Sequence, residues 1–174
     1  MAVTVSRTYS TSHDFLTATW FYDKAGDEAI TCSTGKPVSS ERILDHGCSF
    51  ILRGSGKEKE TYQESYTNYQ KGDVINDRFP AETIAIALED NSVWCYICDR
   101  DESKVITGKT LFVTEYKIIM LSADDKDIYV FCPHEDVEID GELLDRKQIH
   151  KINAGETAIL TSKKDIYVAT FTYD

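Results

Sequence analysis

Apolar and polar residues alternate through the last third of the chain, and this alternation is the feature that most constrains the fold. Apolar side chains recur at every second position in four short runs, 128–131, 137–139, 157–160 and 166–171. The runs are separated by turn-forming segments, Asp140-Gly141, Ala154-Gly155 and Lys163-Lys164-Asp165. A period of two is typical of strands with one buried face, and clusters of Gly and Asp are typical of the turns between them. The stretch 127–174 is therefore predicted to be a β-meander.

The order of strands and turns in that stretch is repeated earlier in the chain, over 48–99. Gly72-Asp73 aligns with Gly155-Glu156, and Phe50-Ile51-Leu52 aligns with Ile128-Tyr129-Val130. A repeat of this kind indicates a duplicated unit, and a duplicated half-barrel and two stacked barrels would both produce it. We predict an all-β chain in three parts: N-terminal strands over 1–45 that complete the sheets as a β-hairpin, a first β unit over 46–104 and a second over 105–174.

Two further segments give specific expectations for the path of the chain. Strands are predicted over 15–22 and 28–33, joined as a hairpin by a turn at 23–27, where Gly26 can adopt the positive φ that tight turns need. The apolar run 111–123 is rich in β-branched and aromatic residues, which favour strands over a helix. It is predicted to form two strand segments with a bend near Glu115–Lys117.

Charge and composition exclude several classes of function. The net charge of −11 disfavours nucleic-acid binding, which depends on Lys and Arg contacts to phosphate, and it disfavours anionic membrane surfaces. The N-terminus lacks the charged and apolar regions of a secretory signal, and no apolar run reaches the ~20 residues that a membrane helix needs. We therefore expect synthesis and retention in a cytoplasm. The five cysteines, an odd number, fit reduced core residues rather than a disulfide framework.

The pattern of turns and strands resembles the cupin family. The features that carry the resemblance are an apolar strand, a Gly-containing turn, a Lys/Ala-Gly-Asp/Glu turn at 71–73 and 154–156, and a strand that ends in aromatic residues. The resemblance covers about residues 46–99 and 127–174, and it implies small jelly-roll barrels. It also implies a metal held by two histidines one residue apart, a glutamate a few residues later and a third histidine after the Gly-Asp turn.

The residues that would hold such a metal are missing from both units. His46 lies eight residues before Gly54, near the position of the family's glutamate, and no histidine precedes it where the pair belongs. No histidine is present in 74–87, after the first Gly-Asp turn, and none follows Gly155. We therefore expect no catalytic, cofactor-binding or metal-binding residue and no cofactor. The alternative is a metal with atypical ligands drawn from His46, Cys48, His134 and His150.

Three other groups of residues invite a chemical interpretation. Cys95 and Cys98 have the spacing of a zinc knuckle, but residues three apart on a strand point to opposite faces of the sheet and could not both bind one ion. Cys132 could act as a nucleophile with His134 or His150 as its base, and a packed cysteine beside a loop histidine is the alternative. Three acidic clusters could bind Ca²⁺: Asp99-Asp101-Glu102, Asp124-Asp125-Asp127 and Glu135-Asp136-Glu138-Asp140. None of them has the alternation of acidic residues and glycine that a calcium-binding loop shows. Solvated turns are therefore the better interpretation.

A tyrosine-rich polar run, 58–69, is the main remaining clue to function, because tyrosines supply large contact areas at protein interfaces. We expect a non-enzymatic structural or assembly protein that forms a homo-oligomer or binds protein partners, as an accessory component of a phage virion, in the head or tail, would do. The first alternative is a cupin-type metal-dependent isomerase or dioxygenase with the atypical ligands. The second is an acidic inhibitor or a small-ligand-binding module that uses the barrel interior. Neither nucleic acid nor a membrane is an expected partner.

Overall fold

A computed structural model of the chain describes residues 3–9, 15–31, 47–78, 83–99 and 105–174. These residues form β-strands joined by turns, and none of them is helical. In particular, the described part of the chain contains no helix that is long and apolar enough to cross a membrane.

The strands, in chain order, are β1 (Val3–Tyr9), β2 (Phe15–Tyr22), β3 (Glu28–Thr31), β4 (Gly47–Arg53), β5 (Ser55–Glu60), β6 (Thr67–Gln70), β7 (Val74–Arg78), β8 (Thr83–Ala87), β9 (Ser92–Asp99), β10 (Ile106–Val113), β11 (Ile119–Ser122), β12 (Ile128–Phe131), β13 (Glu138–Ile139), β14 (Glu142–Leu143), β15 (His150–Ile152), β16 (Thr157–Thr161) and β17 (Ile166–Tyr173).

The strands pair into four antiparallel sheets. Sheet 1 has the order β1-β2-β9-β4-β7, and sheet 2 has the order β3-β8-β5-β6. Sheet 3 has the order β10-β17-β12-β15, and sheet 4 has the order β11-β16-β13-β14. Sheets 1 and 2 therefore come from the first nine strands, and sheets 3 and 4 come from the strands that follow.

The two halves of the chain have the same topology once β1 is set aside. Every strand from β2 to β9 has a counterpart eight strands later: β2-β9-β4-β7 becomes β10-β17-β12-β15, and β3-β8-β5-β6 becomes β11-β16-β13-β14. The duplication predicted from the sequence is thus present as two units of eight strands. Each unit is a pair of facing sheets, so the chain forms two barrels rather than one.

The Gly-acid turns that carry the sequence resemblance have the same structure in both units. Gly72 and Gly155 adopt positive φ values of 93° and 86°. The carboxylates of Asp73 and Glu156 each accept a hydrogen bond from the backbone N–H three residues earlier, at 2.8 and 3.3 Å. The backbone N–H of each acidic residue donates to the carbonyl oxygen of that same earlier residue. Glycine therefore makes the turn, and the acidic residue after it closes the turn.

Three apolar clusters lie between the sheets. One lies between sheets 1 and 2, and a second lies between sheets 3 and 4. The third lies between sheets 1 and 3 and joins the two units, with residues Cys48, Phe50, Leu52, Val93, Cys95, Ile97, Ile106, Tyr129, Phe131, Ile149, Ala169 and Phe171. Each large side chain that is fully buried here contributes about 1.5–3 kcal/mol. The two units therefore share a core.

The predicted pairing of 15–22 with 28–33 is wrong. β2 pairs with β1 and β9 in sheet 1, whereas β3 pairs with β8 in sheet 2. The turn between them is bound to sheet 2, because the Gly26 N–H donates to the Ala87 carbonyl oxygen and the Ala87 N–H donates to the Asp27 carbonyl oxygen, at 2.8 and 2.9 Å. The turn thus carries the chain across to the facing sheet. The N-terminal hairpin is β1 with β2, and residues 32 and 33 lie outside the described residues.

The bend predicted within 111–123 is confirmed. β10 ends at Val113 and β11 begins at Ile119, with Tyr116 in the turn between them at a φ of 56°. This positive φ is uncommon for a residue with a side chain and marks a sharp change of direction. It allows β10 to lie in sheet 3 while β11 lies in sheet 4.

Candidate functional site

The interior of the first unit, between sheets 1 and 2, is lined by large aromatic side chains. Trp20 of β2 and Trp94 of β9 are directly paired across sheet 1. Tyr22 and Tyr96 follow them by two residues on the same strands and share their inner face, because side chains alternate along a strand. All four are buried, with exposed fractions from 1% to 7%. Tyr69 of β6 packs edge-on against Trp94, with ring centroids 5.9 Å apart.

Strand β5 faces these aromatic residues from sheet 2 and brings two carboxylates to the inner face. Gly56 lies against Trp94, because a Cβ atom at this glycine would be 2.7 Å from Trp94 Cζ2. Glu58 and Glu60 lie on the same side as Gly56, since alternate residues of a strand share a face. Lys57 and Lys59, at the alternate positions, lie on the other side, where their Nζ atoms are 4.7 and 5.1 Å from the ring centroid of Tyr66.

Three buried polar atoms of this interior have no hydrogen-bond partner among the described residues. They are Trp20 Nε1, Trp94 Nε1 and Glu60 Oε2. A buried donor or acceptor without a partner costs about 1–3 kcal/mol, and native proteins contain few such groups. A further unpartnered atom, Thr17 Oγ1, lies on the opposite face of sheet 1. Three such atoms in one interior make it the candidate site, because a bound molecule would supply the missing partners.

The interior of the second unit is different in kind. Its cluster is aliphatic apart from one cysteine and consists of Val113, Ala123, Val130, Cys132, Val137, Ile139, Leu144, Ile152, Ala158, Leu160, Ile166 and Val168. The counterparts of β2 and β9 carry aliphatic pairs, such as Leu111 opposite Val168, in place of paired tryptophans. Because nearly all of these side chains are aliphatic, they offer few hydrogen-bonding groups to a ligand, and the candidate site is therefore in the first unit.

The structure does not bring together the residues expected as atypical metal ligands. Cys48 is fully buried in the cluster between sheets 1 and 3. His134 is buried in the turn after β12, and His150 is exposed on β15, at the edge of sheet 3. His46 lies outside the described residues. Within the ranges that the structure covers, no three His, Cys, Asp or Glu side chains converge as ligands.

The donor set of the first unit also does not fit the metal that the cupin resemblance implies. That metal takes several imidazoles and one carboxylate. The inner face of the first unit, in its described residues, offers the carboxylates of Glu58 and Glu60 on one strand and no imidazole. Two carboxylates alone are a set for a hard, oxygen-seeking cation rather than for a histidine-bound transition metal.

The structure does bring Cys132 and His134 together, as a nucleophile and its base would require. Cys132 Sγ lies 3.8 Å from His134 Nδ1, and the thiol donates to the Glu135 carbonyl oxygen at 3.3 Å. Burial raises the pKa of Cys132 to about 11. Burial, with a smaller effect from the guanidinium groups of Arg53 and Arg146, lowers the pKa of His134 to about 3. Both side chains are therefore neutral near pH 7, and the pair lacks the thiolate that nucleophilic catalysis needs.

Two of the other groups singled out from the sequence have structural roles in the described part of the chain. The first two carboxylates of the acidic cluster 135–140 form ion pairs with Arg53, Lys164 and Arg146, at 3.3, 3.5 and 2.9 Å. The first cysteine of the zinc-knuckle pattern, Cys95, is fully buried between sheets 1 and 3. The side chain of the second cysteine lies outside the described side chains, as do residues 101 and 102.

Sequence reasoning misses the residues of this site, Trp20, Trp94, Glu58 and Glu60. One signal is present: the chain has only two tryptophans, and each precedes a tyrosine by two residues within a predicted strand. The pairing of the two tryptophans joins distant parts of the chain and cannot be inferred from local pattern. The glutamates lie in a polar run that resembles an exposed strand, and their inward direction follows only from the packing of Gly56 on Trp94.

Comparison with solved structures identifies the fold. The chain is similar to a cupin 2 conserved barrel domain protein from Leptotrichia buccalis, with 12% identity, a TM-score of 0.50 and coverage of 99% of this chain and 89% of that chain. It is similar to HutD from Pseudomonas fluorescens SBW25, with 11% identity, a TM-score of 0.55 and coverage of 99% and 100%. It is also similar to a mutant of oxalate decarboxylase OxdC from Bacillus subtilis, with 7% identity, a TM-score of 0.60 and coverage of 94% and 69%. The sequence itself matches no protein-family model and no curated protein. The prediction of an all-β, cupin-like jelly roll is confirmed, and at these identities the likeness concerns the fold.

The comparison overturns the expectation of a non-enzymatic component of a phage virion. The proteins that share the fold include an oxalate decarboxylase, which is an enzyme by its name, so the comparison contradicts both the expected structural role and the expected lack of enzymatic activity. The physical reason lies in the first unit. A barrel that served only as a scaffold would gain nothing from burying unpartnered indole N–H and carboxylate groups. The expected protein partners and self-association stay predictions.

Proposed function

We propose that the chain is a cupin-fold enzyme that isomerises a small polar molecule, held between sheets 1 and 2, by moving a proton. One observation carries the proposal. The buried indole N–H groups of Trp20 and Trp94 are paired across sheet 1, have no partner among the described residues, and face a strand that presents two carboxylates.

The two indole N–H groups are suited to hold an oxygen atom on which negative charge develops. Hydrogen-bond donors that are fixed in a site without water stabilise such an oxygen, and each donor typically contributes roughly 100- to 1,000-fold in rate. The ring of Trp94 is held by Tyr69 on one side and by the backbone at Gly56 on another. A donor fixed in this way needs no reorganisation during the reaction.

Glu58 is the candidate for general acid–base catalysis. It follows Gly56 by two residues on the inner face of β5, so its Cα lies about 7 Å along the strand from the place where Trp94 packs. Its carboxylate takes a proton from a hydroxyl-bearing carbon next to the substrate carbonyl; the electron pair of the broken C–H bond forms a C=C bond, and the π pair of the carbonyl moves to the oxygen held by the indoles. The hydroxyl proton then passes to that oxygen, and the proton on Glu58 is delivered to the former carbonyl carbon, so that the carbonyl moves by one position. This reaction needs no oxidant, reductant or second substrate.

Exchange of substrate protons with solvent tests the proposal without knowledge of the product. A panel of small hydroxy- and amino-carbonyl compounds is incubated with the protein in D₂O, and proton NMR follows the loss of the C–H signal next to each carbonyl. We expect exchange in at least one compound and a loss of about 100-fold or more in Glu58→Gln. Trp94→Phe should also lower the rate, because it removes one donor. Glu142→Gln, at an exposed carboxylate of β14, is the matched control and should exchange at the unaltered rate.

Two outcomes would contradict the proposal. Equal exchange rates in the wild type and Glu58→Gln would remove the acid–base role. Binding without exchange would indicate a ligand-binding module rather than an enzyme. Binding is measured in the same samples, because Trp20 and Trp94 are the only tryptophans of the chain and their fluorescence reports on this site alone.

A further inference from the structure

We infer that the molecule bound in the first unit is an organic ammonium compound, with its cationic group at Glu60 and an uncharged carbonyl or hydroxyl oxygen at the indole N–H groups of Trp20 and Trp94. This inference rests on the proposed function, because it names the substrate class of the same site.

The charge of the interior favours a cation over an anion. The carboxylates of Glu58 and Glu60 lie on the inner face of β5, and no Lys, Arg or His is among the inner-facing residues of β2, β5, β8 and β9. The net charge of the whole chain is −11. A carboxylate that is shielded from water is stabilised by a positive partner, whereas an anion brought beside two carboxylates is repelled.

The aromatic side chains of sheet 1 also favour a cationic ligand. Trp20, Tyr22, Trp94 and Tyr96 line the face opposite β5, and all four are buried. The faces of aromatic rings attract cations that come within ~6 Å of the ring centre, most strongly when water is excluded. Rings and carboxylates together form a site that recognises ammonium groups, whereas either one alone is common in protein interiors.

The position of Glu60 constrains the shape of the ligand. Glu60 Oε2 is buried without a partner, and Glu60 follows Gly56 by four residues on the same face of β5. Its Cα therefore lies about 13 Å along the strand from the place where Trp94 packs. A ligand that meets both ends carries its oxygen and its ammonium group at opposite ends of a short chain.

A set of matched probes tests the inference. δ-Aminovaleramide is the cationic probe, and δ-hydroxyvaleramide, δ-aminovalerate and adipic acid monoamide are its neutral, zwitterionic and anionic counterparts. Fluorescence of Trp20 and Trp94 measures binding. We expect the cationic amide to bind about tenfold or more tightly than the neutral amide and the anionic one not to bind. Glu60→Gln should abolish the preference for the cation over the neutral amide, and Glu142→Gln should bind like the wild type.

The outcomes separate this inference from the proposed function. Equal affinity for the cationic and neutral amides, a preference for the anion, or no binding of any probe would overturn it. A preference that survives Glu60→Gln would overturn the position of the cationic group. If that variant does not fold, rising ionic strength gives a second readout in the wild type, because it should weaken binding of the cationic amide only. Cation selectivity without proton exchange would leave this inference in place and overturn the enzyme.

Discussion

Single residues can be compared directly in the two Gly-acid turns, because Gly72 and Gly155 have similar backbone conformations but only Gly72 is in contact with another side chain. A side chain at either glycine strains a positive φ, so Gly155→Ala should cost about 1–2 kcal/mol of the free energy of unfolding. Gly72→Ala should cost about 1–3 kcal/mol more, since its Cβ would lie 2.7 Å from Tyr167 Cε1, whereas nothing lies within 4 Å of a Cβ at Gly155. Urea unfolding measures both. Equal losses would show that the Tyr167 ring moves aside freely.

His134 gives the folded state a pH dependence whose sign follows from its buried, neutral form. Its pKa is about 3 in the folded chain and 6.5 when it is exposed, so below pH 6.5 the unfolded chain binds a proton that the folded chain does not. Stability from this group is complete above pH 6.5 and is lost as the pH falls towards 3, by about 1.4 kcal/mol per pH unit. Between pH 7 and pH 5 the loss is about 2 kcal/mol.

Urea unfolding at these two pH values, in the wild type and in His134→Gln, checks this prediction. The carboxylates are common to both proteins, so the difference between the two losses isolates the histidine. We expect the variant to lose about 2 kcal/mol less than the wild type between pH 7 and pH 5. An equal loss would show that His134 is protonated in the folded chain.

At the scale of secondary-structure elements, the close packing of sheet 1 against sheet 3 depends on a glycine in β10. A Cβ at Gly108 would lie 2.6 Å from Phe50 Cζ and 2.8 Å from Cys48 Sγ, so the absent side chain lets β10 approach β4 closely. Gly108→Ala should destabilise the chain by about 1–3 kcal/mol through overpacking. Phe50→Leu in the same chain should recover part of this loss, because it removes the atoms that clash. A double-mutant cycle in urea measures the coupling, and strictly additive losses would contradict the contact.

Elements differ in how far their sequences predict them. The strands and both Gly-acid turns follow from local pattern, as does the bend at Tyr116, because period-two hydrophobicity and turn chemistry act within a few residues. The partner of β3 does not follow from local pattern. Its turn at 23–27 has the composition of a hairpin turn, but hydrogen bonds to Ala87 in the facing sheet direct the chain away from β2.

The shared core between sheets 1 and 3 predicts that the whole molecule unfolds in one step. Phe50 and Cys95 of the first unit and Tyr129 and Phe171 of the second are buried in the same cluster, so neither unit can unfold without exposing the other's core. Tryptophan fluorescence reports on the first unit alone, since both tryptophans lie there, and far-UV circular dichroism reports on both units. We expect the two urea transitions to coincide. A fluorescence midpoint that differs from that of the dichroism would show that the units unfold separately.

By itself the sequence determines the strands, the Gly-acid turns, the duplication and hence the cupin-like fold, because each of these is specified by residues that are close together in the chain. Only the tertiary structure decides that Trp20 meets Trp94, that Glu58 and Glu60 turn inward, and that the second interior is aliphatic while the first keeps unpartnered polar atoms. The physical reason is that these contacts depend on which strands become neighbours and which faces of two sheets meet. Local pattern specifies that a strand has two faces, and the packing of whole sheets specifies what each face meets.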